Sequence, residues 1–384
     1  MNTGKLHVTI ITNGFQVDYS LNLVNNLSDK IDKIDFIGSS IYDIRLINSN
    51  VNFINLRGSH DDTTSHFNKL SRISSYYLKL FRYLLYSKSQ IVHTQWIRFA
   101  ILDGVFLTLL IKLLGKKAYY TIHDVLPHTK KTLFFRVLYK IIYKLQDEII
   151  VHTNFIKERI VNEFSISSNK IHVVPHGVYQ VVDNCDVSME DARNYLGINQ
   201  DSVVLLFYGY IAKYKGIDIL LEALKMVQEE GGNITLIIAG KLRNDYSLEF
   251  EEVLSKYQSN SIIKLIKYVN NWETNIVFKA ADVTVLPYLE ASQSGVLFMS
   301  YAYGVPVIVP NFGGFPDDIL VDKTGYLFER NNSKSLKHVI LRFCKNVSKM
   351  TEKNRVYIKE FAESNYSWDN SCINLVRLYK KGLE

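Results

Sequence analysis

Two apolar rhythms alternate along the chain. Short runs rich in β-branched and aromatic residues recur at 6–12, 33–37, 51–56, 90–94, 118–123, 148–152 and 170–174. Between the first two, Leu21, Leu23, Val24 and Leu27 mark one face of a helix over 19–27. A second series follows a weak, acidic stretch, with strands expected at 203–208, 234–239, 262–268, 283–286 and 305–309 and a helix over 217–228. Residues 352–383, which include Trp368 and Tyr379, read as helix. Strand-length apolar runs separated by helices mean parallel sheet covered on both faces. A chain of 384 residues exceeds one typical core, so two domains are expected. The boundary is placed near 177–186. This gives an N-terminal Rossmann-like domain over 1–178, a C-terminal one over 179–365, and a last helix over 366–384 that crosses back to the first.

In open α/β sheets, ligands gather at the carboxyl ends of the strands. Polar residues and glycines collect at those ends: Asn13-Gly14, His93-Thr94-Gln95, His123-Asp124, His152-Thr153-Asn154, His176-Gly177, Gly209 and Gly240-Lys241. The most informative stretch is 281–328, where two apolar runs bracket a segment opening SQSG. A helix starting near Ser294 would aim free N–H groups and its positive dipole end at a phosphate, and the small residues let that phosphate approach. In FYGYIAKYKGIDILLEAL, Gly209 permits a sharp turn after a strand, and Lys215, with Lys213, can neutralise a diphosphate.

Composition narrows the classes. Three widely spaced cysteines, Cys185, Cys344 and Cys372, form neither a metal spacing nor a disulfide framework, so a reducing compartment is expected. The N-terminal apolar run reads as a first strand, not a signal peptide, and no run reaches bilayer-spanning length. The net charge of +7 is uneven, about +9 over residues 1–160 and about −2 over the rest. Two basic amphipathic segments, 74–89 and 130–144, mix Lys and Arg with Tyr, Phe and Leu, a pattern suited to an anionic membrane surface. No nucleic-acid recognition module is present. His123, Asp124 and His128 invite a metal reading, but Pro127 interrupts any helix there and no third region offers a partner. No Asp-x-Asp, GxGxxG or GxxxxGK[ST] occurs, which argues against a metal-diphosphate transferase, a dinucleotide dehydrogenase and a P-loop enzyme.

The ordered set FYGYIAKYKGIDILLEAL, VVPHGV, LIIAGK and SYAYGVPVIVPNFGGFPDDILVDKTGYLF resembles the donor-binding half of retaining glycosyltransferases of family four, densely over about 170–330. Gly14 and TIHDVLPH extend the resemblance more loosely into the first half. It implies the GT-B architecture, two Rossmann-like domains with parallel sheets facing across a cleft. It further implies a nucleotide-diphosphate sugar donor carrying UDP or GDP, a saccharide acceptor, and neither metal nor cofactor. By the same likeness His123 and Lys215 are the catalytic residues. The likeness also gives the donor Gly14, Lys215, Ser294, Gly295, Val296 and Leu297; Gly209, Lys213 and Glu290 are expected there too, and His93, Asp124 and His128 are expected on the acceptor side. Many relatives carry two glutamates eight positions apart, where this chain has Ala291 and Met299. Glu290 can stand in for the first; nothing nearby replaces the second. A family arginine before the KG pair is also missing, its site being Tyr210 or Ala212, and Lys213 can compensate. The expected role is hexosyl transfer in bacterial surface-polysaccharide assembly, O-antigen, capsule or exopolysaccharide. The acceptor would be lipid-linked, with the protein cytoplasmic or peripheral on the inner membrane face. The alternatives are a non-catalytic nucleotide-sugar-binding subunit and an epimerase of the same architecture.

Overall fold

The computed structural model describes residues 5–14, 16–59, 66–127, 132–179, 187–257, 260–290, 293–347 and 352–384; His128, Cys185 and Ala291 lie outside them. The chain forms two compact units, Met1–Gly177 with Tyr366–Glu384, and Val178–Asn365.

The first unit is built on β1 (His7–Ile11), β2 (Lys33–Gly38), β3 (Val51–Asn55), β4 (Ile91–Thr94), β5 (Lys117–Ile122), β6 (Glu148–Val151) and β7 (Ile171–Val173). Its helices are α1 (Val17–Ser28), α2 (His66–Tyr86), α3 (Leu107–Leu113), α4 (Leu133–Leu145) and α5 (Asn154–Phe164). The sheet is parallel in the order β3-β2-β1-β4-β5-β6-β7. Val8 stands opposite Ile34 on one side and Ile91 on the other. All five residues of β1 are buried, because helices cover both faces. On one face Val8, Ile10 and Ile34 pack with Leu23, Val24 and Leu27 of α1. On the other, Ile11, Ile37 and Val92 pack with Tyr76, Leu80 and Leu84 of α2 and Leu107 and Ile111 of α3.

The second unit holds β8 (Val203–Tyr208), β9 (Ile234–Ala239), β10 (Ile262–Leu265), β11 (Val283–Val285), β12 (Val307–Pro310) and β13 (Gly325–Phe328). Its helices are α6 (Met189–Tyr195), α7 (Ile217–Glu229), α8 (Ser247–Ser255), α9 (Asn271–Ala280), α10 (Gly295–Ala302), α11 (Ser333–Val347) and α12 (Glu352–Tyr366). This sheet is also parallel, in the order β10-β9-β8-β11-β12-β13. In each unit the order reverses at one place, between β1 and β4 and between β8 and β11. Such switch points leave a crevice at the strands' carboxyl ends.

The residues expected as helix over 352–383 form two helices. Ser367 accepts the Asn370 N–H at 3.2 Å and starts α13 (Trp368–Lys381), which belongs to the first unit. There Cys372, Leu375 and Tyr379 join the α1 face of the core. The strand expected over 262–268 stops at Leu265, and β13, absent from the expected set, pairs with β12 at the sheet edge.

Candidate functional site

In the second unit the sequence builds its site from turns that exclude side chains. After β8, Gly209 takes φ +102°, and a Cβ there would lie 3.3 Å from Val296 Cγ2 of α10. The chain then makes a tight turn over Lys213–Lys215 and enters α7 through Gly216 at φ +67°. A Cβ on Gly216 would stand 2.0 Å from the Pro287 carbonyl oxygen, so the lysine turn packs directly on the segment leaving β11. The Leu289 N–H donates to the Tyr214 carbonyl at 2.8 Å and pins the two together.

This contact places Lys215 Nζ 3.6 Å from the centroid of the Tyr288 ring, a cation–π geometry. The Tyr288 hydroxyl lies 3.2 Å from Ser294 Oγ, the residue that precedes α10. Burial raises the Tyr288 phenol above its ordinary value, so it stays neutral. Gly295 opens the helix with its Cα close to Tyr179; a Cβ there would meet the Tyr179 hydroxyl at 2.8 Å. The positive end of α10, a lysine and backbone with little side-chain cover thus converge at the switch point of the sheet. That combination stabilises an oxyanion.

In the first unit the corresponding crevice is aromatic. Gly14 turns at φ +78° after β1. Beside it Asn13 donates to the Trp96 carbonyl and accepts from Arg57. The Trp96 indole stacks on His123 at 4.2 Å and 7°. Tyr19 lies 4.9 Å from His123, 5.6 Å from His152, 5.0 Å from His176 and 5.1 Å from Trp368 of α13. His152 Nδ1 is 2.8 Å from the Val174 carbonyl and His176 Nδ1 2.7 Å from that of Gly177. Burial holds His152 down to about 4 and His176 down to about 3, and His123 well below the usual range, so this cage is neutral at pH 7. Among the described residues no group of three His, Cys, Asp or Glu is placed to hold a metal ion.

Family models match both halves: Glycosyltransferase Family 4 over residues 19–179 and Glycosyl transferases group 1 over residues 188–363. The chain belongs to the family-four, group 1 glycosyltransferases. Among curated relatives it is 26% identical over 223 residues to the capsular polysaccharide biosynthesis glycosyltransferase CapM of Staphylococcus aureus, covering 56% of this chain and 58% of CapM. It is 25% identical over 244 residues to an uncharacterized glycosyltransferase of Methanocaldococcus jannaschii, covering 62% and 60%. The matches thus span about three fifths of these relatives' length. Among solved structures, HepE of Anabaena in complex with UDP and glucose superposes with a TM-score of 0.78 at 13% identity, covering 98% of this chain and 100% of HepE. A glycosyltransferase of Rickettsia africae gives 0.74 at 17%, covering 99% of each. The fold is GT-B.

Within this glycosyltransferase frame, the structure brings Gly209, Lys215, Ser294, Gly295 and Val296 together. Tyr288 and Tyr179 join them without having been singled out from the sequence; a tyrosine two residues past a strand-like run was the only signal for the first. Glu290 is half-buried on the same segment. Three expectations need correcting. Lys213 is turned outward into an exposed ion pair with Glu249 at 2.7 Å. The Leu297 N–H, expected at the phosphate, donates to the Ser294 carbonyl at 3.1 Å, because the helix begins with a tight first turn. His93, placed on the acceptor side, is 1% exposed with Nδ1 2.6 Å from the Tyr379 hydroxyl and Nε2 2.7 Å from Thr121 Oγ1, which makes it a core residue. Asp124 is exposed next to His123, and His128 lies outside the described residues.

Proposed function

We propose that the chain transfers a hexose from a nucleotide-diphosphate sugar, UDP- or GDP-linked, to a saccharide acceptor with retention of configuration. The observation that carries this reading is the start of α10, flanked by Gly209 and by Lys215 seated on Tyr288. In the reaction the bond from the anomeric carbon to the diphosphate breaks and the acceptor oxygen bonds to that carbon. The acceptor proton passes to the departing diphosphate on the same face of the sugar. Charge grows on the diphosphate as this happens, and Lys215 with the α10 terminus stabilises it. In the first unit, neutral His123, fixed by Trp96 and Tyr19, is the side chain proposed to contact a saccharide. The UDP and UDP-glucose held by HepE and the capsular role in the name of CapM support a nucleotide sugar and a surface polysaccharide.

The acceptor in this reading is lipid-linked and met at the inner face of the cytoplasmic membrane. Support comes from α2 and α4, where Leu78, Phe81, Phe134 and Val137 are exposed beside Lys79, Arg82, Arg136 and Lys140. No helix among the described residues is long and apolar enough to cross a bilayer. A second reading, a non-catalytic nucleotide-sugar-binding subunit, is favoured by Met299, which packs on the core where relatives carry a glutamate. Thermal-shift screening with UDP, GDP, ADP and CMP, followed by assay of nucleoside diphosphate release, separates the two. Transfer predicts a shift with UDP or GDP and release that depends on acceptor; a shift without release under any donor and acceptor supports the subunit.

A further inference from the structure

Next to the Gly14 turn the first unit contains a cavity of about 110 Å³ that neither the donor site nor the His123 cage uses. Arg57, Lys69, Arg72 and Arg98 line it together with Tyr76 and Tyr77. Its walls come from three places: the chain leaving β3 supplies Arg57, one face of α2 supplies Lys69, Arg72 and the tyrosines, and the chain leaving β4 supplies Arg98. Lys69, Arg72 and Tyr76 follow at steps of three and four residues, and Ile73 and Tyr77 at steps of four, which puts them on one face of the helix. The cavity therefore lies at the carboxyl ends of the strands, where parallel sheets receive ligands.

Two of these cations, Arg57 and Arg72, are held by the scaffold. Arg57 donates to Asn13 Oδ1 and lies 5.5 Å over the Tyr76 ring. Arg72 donates to the Ser59 carbonyl at 3.1 Å. The backbone at Arg98 is fixed by Asp103, which accepts the Arg98 and Phe99 N–H groups at 2.9 Å each and the Tyr77 hydroxyl at 2.6 Å. Asp103 is thus spent on the walls of the cavity. Gathering like charges in a partly dry site is unfavourable. Burial, and then the charge of Arg98, hold the Arg57 guanidinium below its ordinary value. A bound anion reverses that penalty, and guanidinium groups match phosphoryl oxygens in geometry.

We propose that this cavity binds a phosphoryl group carried by the acceptor, a phosphate or diphosphate. The word acceptor rests on the transfer reaction proposed above; the anion site does not. Asn13, the neighbour of Gly14, bonds both Arg57 and the Trp96 carbonyl, and Trp96 stacks on His123, so a chain of contacts runs from the Arg57 wall of the cavity to His123. The phosphoryl group can belong to a lipid headgroup or to a soluble phosphate.

The test titrates the whole chain, in excess UDP so that the donor site is filled, with inorganic pyrophosphate. In parallel it uses phosphatidylcholine vesicles with and without polyprenyl diphosphate. Wild type is compared with Lys69→Gln/Arg98→Gln and with Lys33→Gln/Lys117→Gln, whose lysines stand at the amino ends of β2 and β5. The pocket pair should weaken pyrophosphate binding roughly 10-fold or more, and the control pair should leave it within about twofold. An unchanged UDP thermal shift in both pairs shows that they are folded. Preference for the polyprenyl diphosphate vesicles assigns the lipid source; pyrophosphate binding without that preference assigns a soluble one. Absence of both kinds of binding in wild type, or equal loss in the two pairs, overturns the site. Loss of UDP binding alone would overturn the donor reading and leave this one standing.

Discussion

Lys215 on the face of Tyr288 is the smallest unit of the proposed chemistry. The ring holds the ammonium 3.6 Å from its centroid, and the same tyrosine reaches Ser294 at the start of α10. Removing a preorganised charge from a leaving group is costly, so Lys215→Ala should lower sugar transfer by about 100-fold or more. Steady-state assay with the preferred donor checks this, and near-normal turnover would remove Lys215 from the mechanism. The histidines show how one motif can lead to two environments. His93 and His152 both follow an IV pair and precede a threonine. His93 is locked between Thr121 and Tyr379, whereas His152 enters the cage around Tyr19. Local sequence does not distinguish them, because what differs is α13, more than 200 residues away, which brings Tyr379 onto one of them.

At the level of elements, the first residue of α13, Trp368, packs on the chain just past β7. A Cβ on Gly177 would stand 2.2 Å from Trp368 Cδ2, so nothing larger than glycine fits beneath the indole. Gly177→Ala should destabilise the first unit by about 1–3 kcal/mol. Urea unfolding followed by fluorescence would show it, and an unchanged midpoint would mean that the helix yields without cost. The strands of both sheets were legible because buried parallel strands are continuous apolar runs bounded by turns; the expected 203–208 and 234–239 are β8 and β9. β13 was not, since GYLF is short, begins with glycine and lies on an edge. The start of the last helix was placed at 366, and the cap is Ser367, a hydroxyl before Trp-Asp-Asn. The turns at Gly209 and 213–216, proposed to hold the donor, were legible from glycine and lysine spacing. The aromatic cage was not, since Tyr19, Trp96, His123, His152, His176 and Trp368 come from six separate segments, and only the sheet order unites them.

For the molecule as a whole, charge and acid sensitivity both concentrate in the first unit. Its basic helices with exposed Leu and Phe predict binding to vesicles of anionic lipid at low salt, weakening as salt rises. A flotation assay checks this, and absence of binding at low salt would remove the membrane from the account. His93, His152 and His176 are buried neutral, with values held down to about 3, 4 and 3. The unfolded chain binds protons from about pH 6.5, the folded unit only near those lower values. Stability is therefore full above about pH 6.5 and falls as pH drops, by about 1 kcal/mol per pH unit for each histidine. Trp96 and Trp368 both lie in the cage, so acid titration of their fluorescence should report unfolding of this unit well before pH 4. A signal flat to pH 4 would mean that the cage admits protons without opening. The central claim is that the start of α10 and Lys215 hold the donor diphosphate. It is tested most directly by a crystal structure of the chain with the nucleoside diphosphate that gives the largest thermal shift. The account predicts the β-phosphate within hydrogen-bond distance of Lys215 Nζ and of the Gly295 and Val296 N–H groups at the start of α10. A diphosphate lodged elsewhere, with Lys215 still seated on Tyr288 and no ligand at α10, would contradict it.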